Sequence, residues 1–231
     1  MVDEAATGIA HALRDEGGSS SCPYSFPQAG DPLAAMAVRL LGADALAPFA
    51  VDHGPAANET DAALVRQALT DYPPDADSST VVEWSYHGLA EAAQARLPSP
   101  ATTATATGAP TPHHPPSTLP PPDAQWTHSD PWPQLSYRVS QLAALAAPGL
   151  AAGLQEHLAP RTDDLARGFV RAVRRRDWLQ AIGIGRWLAR LPDVPDSLGL
   201  DTGLAFVRHM AGDHPRVALH SAATQRFFGR G

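Results

Sequence analysis

Residues 162–191 have the sequence TDDLARGFVRAVRRRDWLQAIGIGRWLARL, and this stretch decides the predicted fold. Acidic residues follow Thr162, where they suit the N-terminal end of a helix dipole. Apolar side chains then recur at helical spacing, at Leu165, Phe169, Val170 and Val173. Arginines mark the other face, at Arg167, Arg171, Arg174 and Arg175. Residues 178–191 are apolar nearly all round, which predicts a second helix that is buried on two sides.

Helical patterns extend outward from this pair in both directions. Toward the C-terminus they predict helices over 198–210 and 217–227, and before the pair over 137–147 and 148–158. The N-terminal part predicts short helices over 4–13, 32–41, 60–69 and 80–97, with few large apolar side chains and therefore little independent stability. The predicted fold class is all-α, with a helical bundle or short helical-repeat array at the C-terminus.

A proline-rich tract separates the two helical parts. Residues 102–122 are low in complexity, with alternating threonine and alanine followed by crowded prolines, which predicts polyproline-like disorder. We therefore divide the chain into an acidic helical segment 1–97, a disordered linker 98–125 and a helical domain 126–231. Trp126 and Trp132 directly follow the linker; they either pack onto the C-terminal domain or form a docking motif for another protein.

Charge is distributed unevenly between these parts. Residues 1–135 hold 4 arginines and 16 acidic residues, a net charge of −12, whereas residues 136–231 hold 13 arginines and 8 acidic residues, a net charge of +5. All 17 basic residues are arginine, a bias that a GC-rich genome also produces, so arginine alone does not indicate a phosphate site. A net charge of −7 argues against non-specific nucleic-acid binding, which depends on neutralisation of phosphates. The basic region is typical of a solvated helix face, which needs no function; as a binding site, it fits an acidic partner or the acidic segment of the same chain better than nucleic acid.

A single cysteine, Cys22, excludes an internal disulfide and a multi-cysteine metal site. The N-terminus lacks the basic and apolar regions of a signal peptide, and no run of 18 apolar residues predicts a membrane span. We expect a cytoplasmic protein without membrane contact.

The C-terminal region contains a short internal sequence repeat. Phe169-Val170-Arg171 returns 37 residues later as Phe206-Val207-Arg208, and residues 176–181 (RDWLQA) are followed by Pro192. Over residues 163–228 this pattern resembles tetratricopeptide-like helical repeats. It departs from that family at Gly185, where a large aromatic is expected, and it has two units where three normally bury a core. The resemblance implies a partner-binding groove and no chemistry of its own.

Other candidate sites have weak signals. Gly183 and Gly185 match half of a dinucleotide fingerprint, but no strand precedes them, so close helix approach explains them better. His209, His214 and His220 are weak metal candidates whose spacing fits no single helix face. Cys22 has no identifiable base beside it. We therefore expect no cofactor, and we identify no catalytic residue.

The leading functional hypothesis is a protein-interaction scaffold or adaptor that acts through residues 126–231. Its predicted partner is a protein with an acidic surface, bound through Arg167, Arg171, Arg174, Arg175, Trp126 and Trp132. Two alternatives stay open, namely an enzyme or accessory subunit of a biosynthetic enzyme, and a DNA-binding regulator that uses the arginine-rich helix.

Overall fold

The computed structural model describes residues 1–14, 32–50, 57–98 and 120–229, and within these ranges every regular element is a helix. The α-helices are α1 (Val2–Arg14), α2 (Pro32–Leu41), α3 (Glu59–Asp71), α4 (Thr80–Arg96), α5 (Trp126–Ser129), α6 (Trp132–Gln141), α7 (Ala152–Leu158), α8 (Thr162–Arg174), α9 (Trp178–Arg190), α10 (Leu200–Ala211) and α11 (Pro215–Phe228). Short 3₁₀ helices cover Gly42–Ala50, Ala143–Leu145, Ala159–Arg161 and Asp196–Leu198. The all-α fold class is confirmed for the described residues. The predicted linker falls largely outside them, at residues 99–119.

The α8–α9 hairpin forms the centre of the fold. Arg176, at φ 58°, ends the turn after α8, and the Asp177 carboxylate caps α9 by accepting from the Gln180 N–H at 3.1 Å. Every residue from Ala181 to Leu188 is buried, which confirms the prediction that α9 is enclosed on more than one side. A Cβ at Gly183 would lie 2.6 Å from the Ser140 carbonyl oxygen of α6. Close helix approach therefore explains this glycine.

A second hairpin, α10–α11, packs against α9. The buried positions Leu165, Phe169 and Ala172 of α8 have counterparts 35 residues later at Leu200, Leu204 and Val207 of α10. The sequence repeat at 37 residues pairs positions that differ in burial. Phe169 is 3 % exposed, whereas Phe206 is 46 % exposed. The same three residues of α10 also match the buried Thr162, Ala166 and Phe169 after 38 residues, and the two hairpin turns lie 37 residues apart, so burial does not define a different period.

The N-terminal helices share one apolar core with the C-terminal ones. Ala5, Ala6, Ile9, Ala10 and Leu13 of α1 are buried, and α1 packs along α11. The 3₁₀ helix Gly42–Ala50 packs on α4 and supplies a run of buried small and apolar side chains. Small side chains let helix backbones approach closely, so this segment needs few large apolar groups to form a core. That the parts on either side of the linker fold independently stays a prediction.

Some predicted helix bounds are wrong. The predicted helix over 148–158 begins only at Ala152, because Gly149 (φ 76°) and Ala151 (φ 47°) have left-handed backbone conformations. Before that turn, α6 begins at Trp132 with a proline in its first turn, five residues earlier than predicted, and it ends at Gln141.

Candidate functional site

Four arginines predicted to bind a partner line one open groove along the outer face of α8. Arg167, Arg171, Arg174 and Arg175 are exposed there, and the groove has a volume of about 820 Å³. Trp132, at the start of α6, forms one wall, and Pro195, Ser197 and Leu198 form the other. We call this feature the arginine groove. Five of the six residues predicted from the sequence to bind a partner therefore lie together.

The groove also has an apolar component. Val170 belongs to the apolar pattern predicted for α8, but it is 38 % exposed and lies in the groove between the arginines. Trp132 is half-buried, and its ring carries the Arg171 guanidinium at 5.5 Å in a cation–π contact. This contact holds Arg171 against the wall. An apolar strip flanked by positive charges can bind a segment that is both acidic and partly apolar.

Most of the positive charge in the groove is unneutralised. Nη1 of Arg167 lies 3.2 Å from Oδ1 of Asp164. The other oxygen of that carboxylate, Oδ2, pairs with Nε of Arg161 at 2.7 Å. Arg171, Arg174 and Arg175 form no ion pair with any carboxylate in the part of the chain that the structure describes. Among the lining residues, Asp163 is the acidic one. The groove thus keeps several guanidinium groups available for an anionic ligand.

Trp126 has a different position from the other predicted binding residues. It is 6 % exposed and belongs to the core, and the Arg138 guanidinium lies over its ring at 5.8 Å. Arg161 fixes this part of the chain by donating to the carbonyl oxygens of Thr127 and Asp130. Trp126 therefore anchors the start of the C-terminal region, and its side chain does not line the arginine groove.

The three candidate metal ligands do not converge. His209 and His214 are exposed, whereas His220 is 5 % exposed inside the core. No group of three or more His, Cys, Asp or Glu side chains suited to a metal ion occurs among the described residues. Cys22 lies outside the described residues.

His220 belongs instead to a buried charged network that joins the N-terminal part of the chain to the C-terminal part. Nη1 of Arg186 donates to Oδ1 and Oδ2 of Asp44 at 2.8 and 2.9 Å, and Nδ1 of His220 lies 3.3 Å from Oδ2. Nε of Arg186 donates to the Ala146 carbonyl oxygen at 3.0 Å. Arg186 and Asp44 are 0 % and 1 % exposed. Arg186 is one of the 13 arginines of the basic C-terminal part, but it does not contribute to the basic surface.

Burial and charge act in opposite directions on this network. Burial alone raises the pKa of Asp44, but the Arg186 charge and the His220 contact outweigh it and lower the pKa to about 2. Burial lowers the pKa of His220, more than the hydrogen bond and charge of Asp44 raise it. The network therefore holds an ionised Asp44–Arg186 pair beside a neutral imidazole at neutral pH. Because all three side chains are enclosed, it is a structural element and does not offer a site to substrate.

A second set of contacts ties α4 to the turn before α7. The Glu91 carboxylate accepts from the Ala151 N–H at 2.9 Å, which fixes the left-handed residue of that turn. Arg190 donates to the carbonyl oxygens of Leu145 and Leu150 at 2.7 and 2.6 Å. Burial lowers the pKa of Arg190 to about 10, although the charge of Glu91 opposes this. These contacts hold the N-terminal and C-terminal helices together.

One stretch has the length and composition of a membrane-spanning helix. Pro32–Ala50 has a mean hydropathy of 1.5, but 67 % of it is buried against the rest of the protein. It is not a continuous α-helix, because the 3₁₀ helix begins at Gly42, and it contains Asp44. Packing in the core accounts for its apolar character.

Comparisons of the chain with protein-family models, with curated proteins and with solved structures found no match.

Proposed function

We propose that this protein is a helical interaction module that binds an acidic segment of a partner protein in the arginine groove. The observation that carries the proposal is the convergence of Arg167, Arg171, Arg174 and Arg175 on one groove that also exposes Val170. Charge-assisted contacts between guanidinium and carboxylate groups supply orientation and association rate, and an apolar contact adds affinity. Because the chain contains no lysine, the arginines by themselves do not favour phosphate over carboxylate.

A short helical-repeat architecture belongs to the same proposal. Two antiparallel hairpins, α8–α9 and α10–α11, follow one another, and each is closed by a turn of three residues. The two turns lie 37 residues apart, within the range of repeat lengths found in helical-repeat proteins. The resemblance implies a partner-binding groove, and the arginine groove on α8 is the candidate for it.

The structure offers a reason for the missing aromatic at Gly185. A Cβ there would lie 2.5 Å from Leu204 and 3.2 Å from the Phe169 ring. The space that an aromatic of α9 occupies in that repeat family is therefore taken by side chains of α8 and α10.

The test is binding of a fluorescently labelled peptide that carries clustered aspartates around one leucine, followed by anisotropy at low salt. Arg171→Glu with Arg174→Glu is expected to weaken binding about tenfold or more. The matched control, Arg208→Glu with Arg226→Glu, changes the net charge equally at exposed positions outside the groove and is expected to bind like the wild type. Loss of binding in both variants, or no binding by the wild type of any peptide in an acidic panel, contradicts the proposal.

A duplex DNA probe distinguishes this function from the alternative of a DNA-binding regulator. A salt-sensitive shift that is abolished by the groove variant, with no binding of the acidic peptides, assigns the groove to nucleic acid instead.

A further inference from the structure

The arginine groove has a chemically matched surface elsewhere on the chain. Asp71 ends α3, and Asp75 and Asp77 lie in the loop that leads to α4. All three are exposed, and none of them forms an ion pair within the described residues. No arginine occurs between Asp71 and Thr80. We call residues 71–79 the acidic loop. It is a concentrated, unneutralised negative surface on the part of the chain that carries most of the acidic residues.

Hydrogen bonds to neighbouring helices hold the acidic loop in place. Arg39 of α2 donates from Nε to the Tyr72 carbonyl oxygen at 3.1 Å and from Nη2 to the Val82 carbonyl oxygen at 3.1 Å. Within the loop, the Asp75 N–H donates to the Ser78 hydroxyl at 2.8 Å. A loop fixed before binding loses little conformational entropy when it docks.

The dimensions of the two surfaces are also compatible. Arg167 lies on α8 and Arg175 is the residue that caps its C-terminal end, eight residues later, which corresponds to about 12 Å along the helix axis. Asp71 and Asp77 are six residues apart, a separation of at most about 20 Å. The loop includes a turn, which shortens that separation. Several carboxylates of the loop can therefore face several guanidinium groups of one groove at the same time.

The acidic loop does not fill the groove of its own chain. The residues that line the groove lie between Trp132 and Leu198, and no residue of the acidic loop is among them. The N-terminal and C-terminal helices share one core, which fixes the loop and the groove on the same body. Contact between the two surfaces therefore requires two molecules.

We propose that the arginine groove of one molecule binds the acidic loop of a second copy of this chain. This inference rests on the proposed function of the groove and names one partner for it. Because groove and loop are different surfaces, the contact is head-to-tail and produces a ring or an open chain of molecules. The contact is small compared with standard interfaces, so the association is weak and reversible, and it decreases with salt.

The test measures the mass of the full chain by light scattering at protein concentrations from about 1 µM to about 1 mM, at low and at high salt. Two charge-reversal variants are compared, a groove variant (Arg171→Glu with Arg174→Glu) and a loop variant (Asp75→Arg with Asp77→Arg). The wild type is expected to increase in mass with concentration at low salt, and each variant alone is expected to stay monomeric. An equimolar mixture of the two variants is expected to associate again, because each reversed surface then meets a complementary one.

The controls reverse equal numbers of charges at exposed positions away from both surfaces: Arg208→Glu with Arg226→Glu, and Glu156→Arg with Asp213→Arg. They are expected to associate like the wild type, and all variants are expected to keep the helical circular dichroism of the wild type. A monomeric wild type at every concentration overturns the inference, and so does a mixture of variants that stays monomeric. If acidic peptides still bind the groove in that case, the proposed function stands; if they do not, both fail.

Discussion

Asp44 and Arg186 are separated by 142 residues, and their side chains form a buried ion pair with Nη1 of Arg186 at 2.8 Å from Oδ1 of Asp44. Asp44 lies in the 3₁₀ helix after α2, and Arg186 lies in the middle of α9. The pair therefore connects the acidic N-terminal part of the chain with the centre of the basic C-terminal part. A third side chain also contacts Asp44: Nδ1 of His220, from α11, lies 3.3 Å from its Oδ2.

Replacing one partner of this pair is expected to be costly. Asp44→Asn leaves the Arg186 charge buried without a counter-charge, and we expect the free energy of unfolding to fall by about 3–5 kcal/mol. Urea denaturation followed by circular dichroism measures this change. Asp213→Asn, at an exposed position, is the matched control and is expected to stay within about 0.5 kcal/mol of the wild type.

The combination of Asp44→Leu with Arg186→Met extends this test. It removes both charges together and is expected to recover most of the lost stability, because no uncompensated charge remains buried. An Asp44→Asn protein as stable as the wild type would contradict the assigned role of the ion pair.

The same network predicts a loss of stability in acid, in two ranges of pH. The pKa of His220 is lower in the folded protein than its ordinary value of 6.5, so the unfolded chain binds the proton first and stability falls as the pH decreases below about 6.5. The pKa of Asp44 is also lowered, to about 2, so its contribution is present above about 3.9 and is lost as the pH falls toward 2. Arg186 and Arg216 are the cationic groups that oppose protonation of His220.

Thermal unfolding of the wild type and of His220→Gln, measured from pH 8 to pH 3, separates the two contributions. The variant is expected to lose less stability than the wild type between about pH 6.5 and pH 5, because the imidazole has been removed. Both proteins are expected to lose stability below about pH 4. Equal slopes of stability against pH in the upper range would show that His220 does not contribute there.

Gly183 provides a test of the close contact between α6 and α9. A Cβ there meets backbone, the Ser140 carbonyl oxygen at 2.6 Å, which cannot move aside as a flexible side chain does. Gly183→Ala is therefore expected to destabilise the protein by about 1–3 kcal/mol. Gly153→Ala is the matched control, because nothing lies within 4 Å of its added Cβ, and it is expected to leave stability unchanged or raise it by up to about 1 kcal/mol. Thermal melting of the two variants that shows equal shifts would contradict the contact.

Local patterns predicted the helices well, but they could not assign every face. Val170 adjoins Phe169 in the sequence, and a helix turns by about 100° per residue, so the two side chains point in different directions. Burial of Phe169 with Leu165 and Ala172 places Val170 at the edge of the stripe, where it enters the groove. Which neighbour of a large apolar residue stays exposed depends on the helices that pack nearby, and the local sequence does not contain that information.

The arginines also show that the local sequence does not always determine which side chains are buried. Arg171, Arg174 and Arg175 lie on the polar face of an amphipathic helix, so their exposure was predictable, and they do line the groove. Arg186 is equally charged but lies in a helix whose other side chains are apolar apart from Gln180 and Arg190 near its ends, and this was the available signal that it is buried. Its partner could not be found from spacing, because Asp44 is distant in the chain and the two meet only after α9 and the 3₁₀ helix have packed.

Limited proteolysis tests whether the helical parts behave as separate domains. The composition of the tract predicts that the first cuts fall between residues 97 and 125. If the shared core and the Asp44–Arg186 pair hold the two parts together, the nicked protein is expected to elute from size exclusion as one species and to separate only in denaturant. Fragments that separate in native buffer, with 126–231 still helical, would show instead that the C-terminal part folds alone. Repeating the experiment with Asp44→Asn is expected to promote separation, because the N-terminal fragment then lacks the charge that neutralises Arg186 in the core.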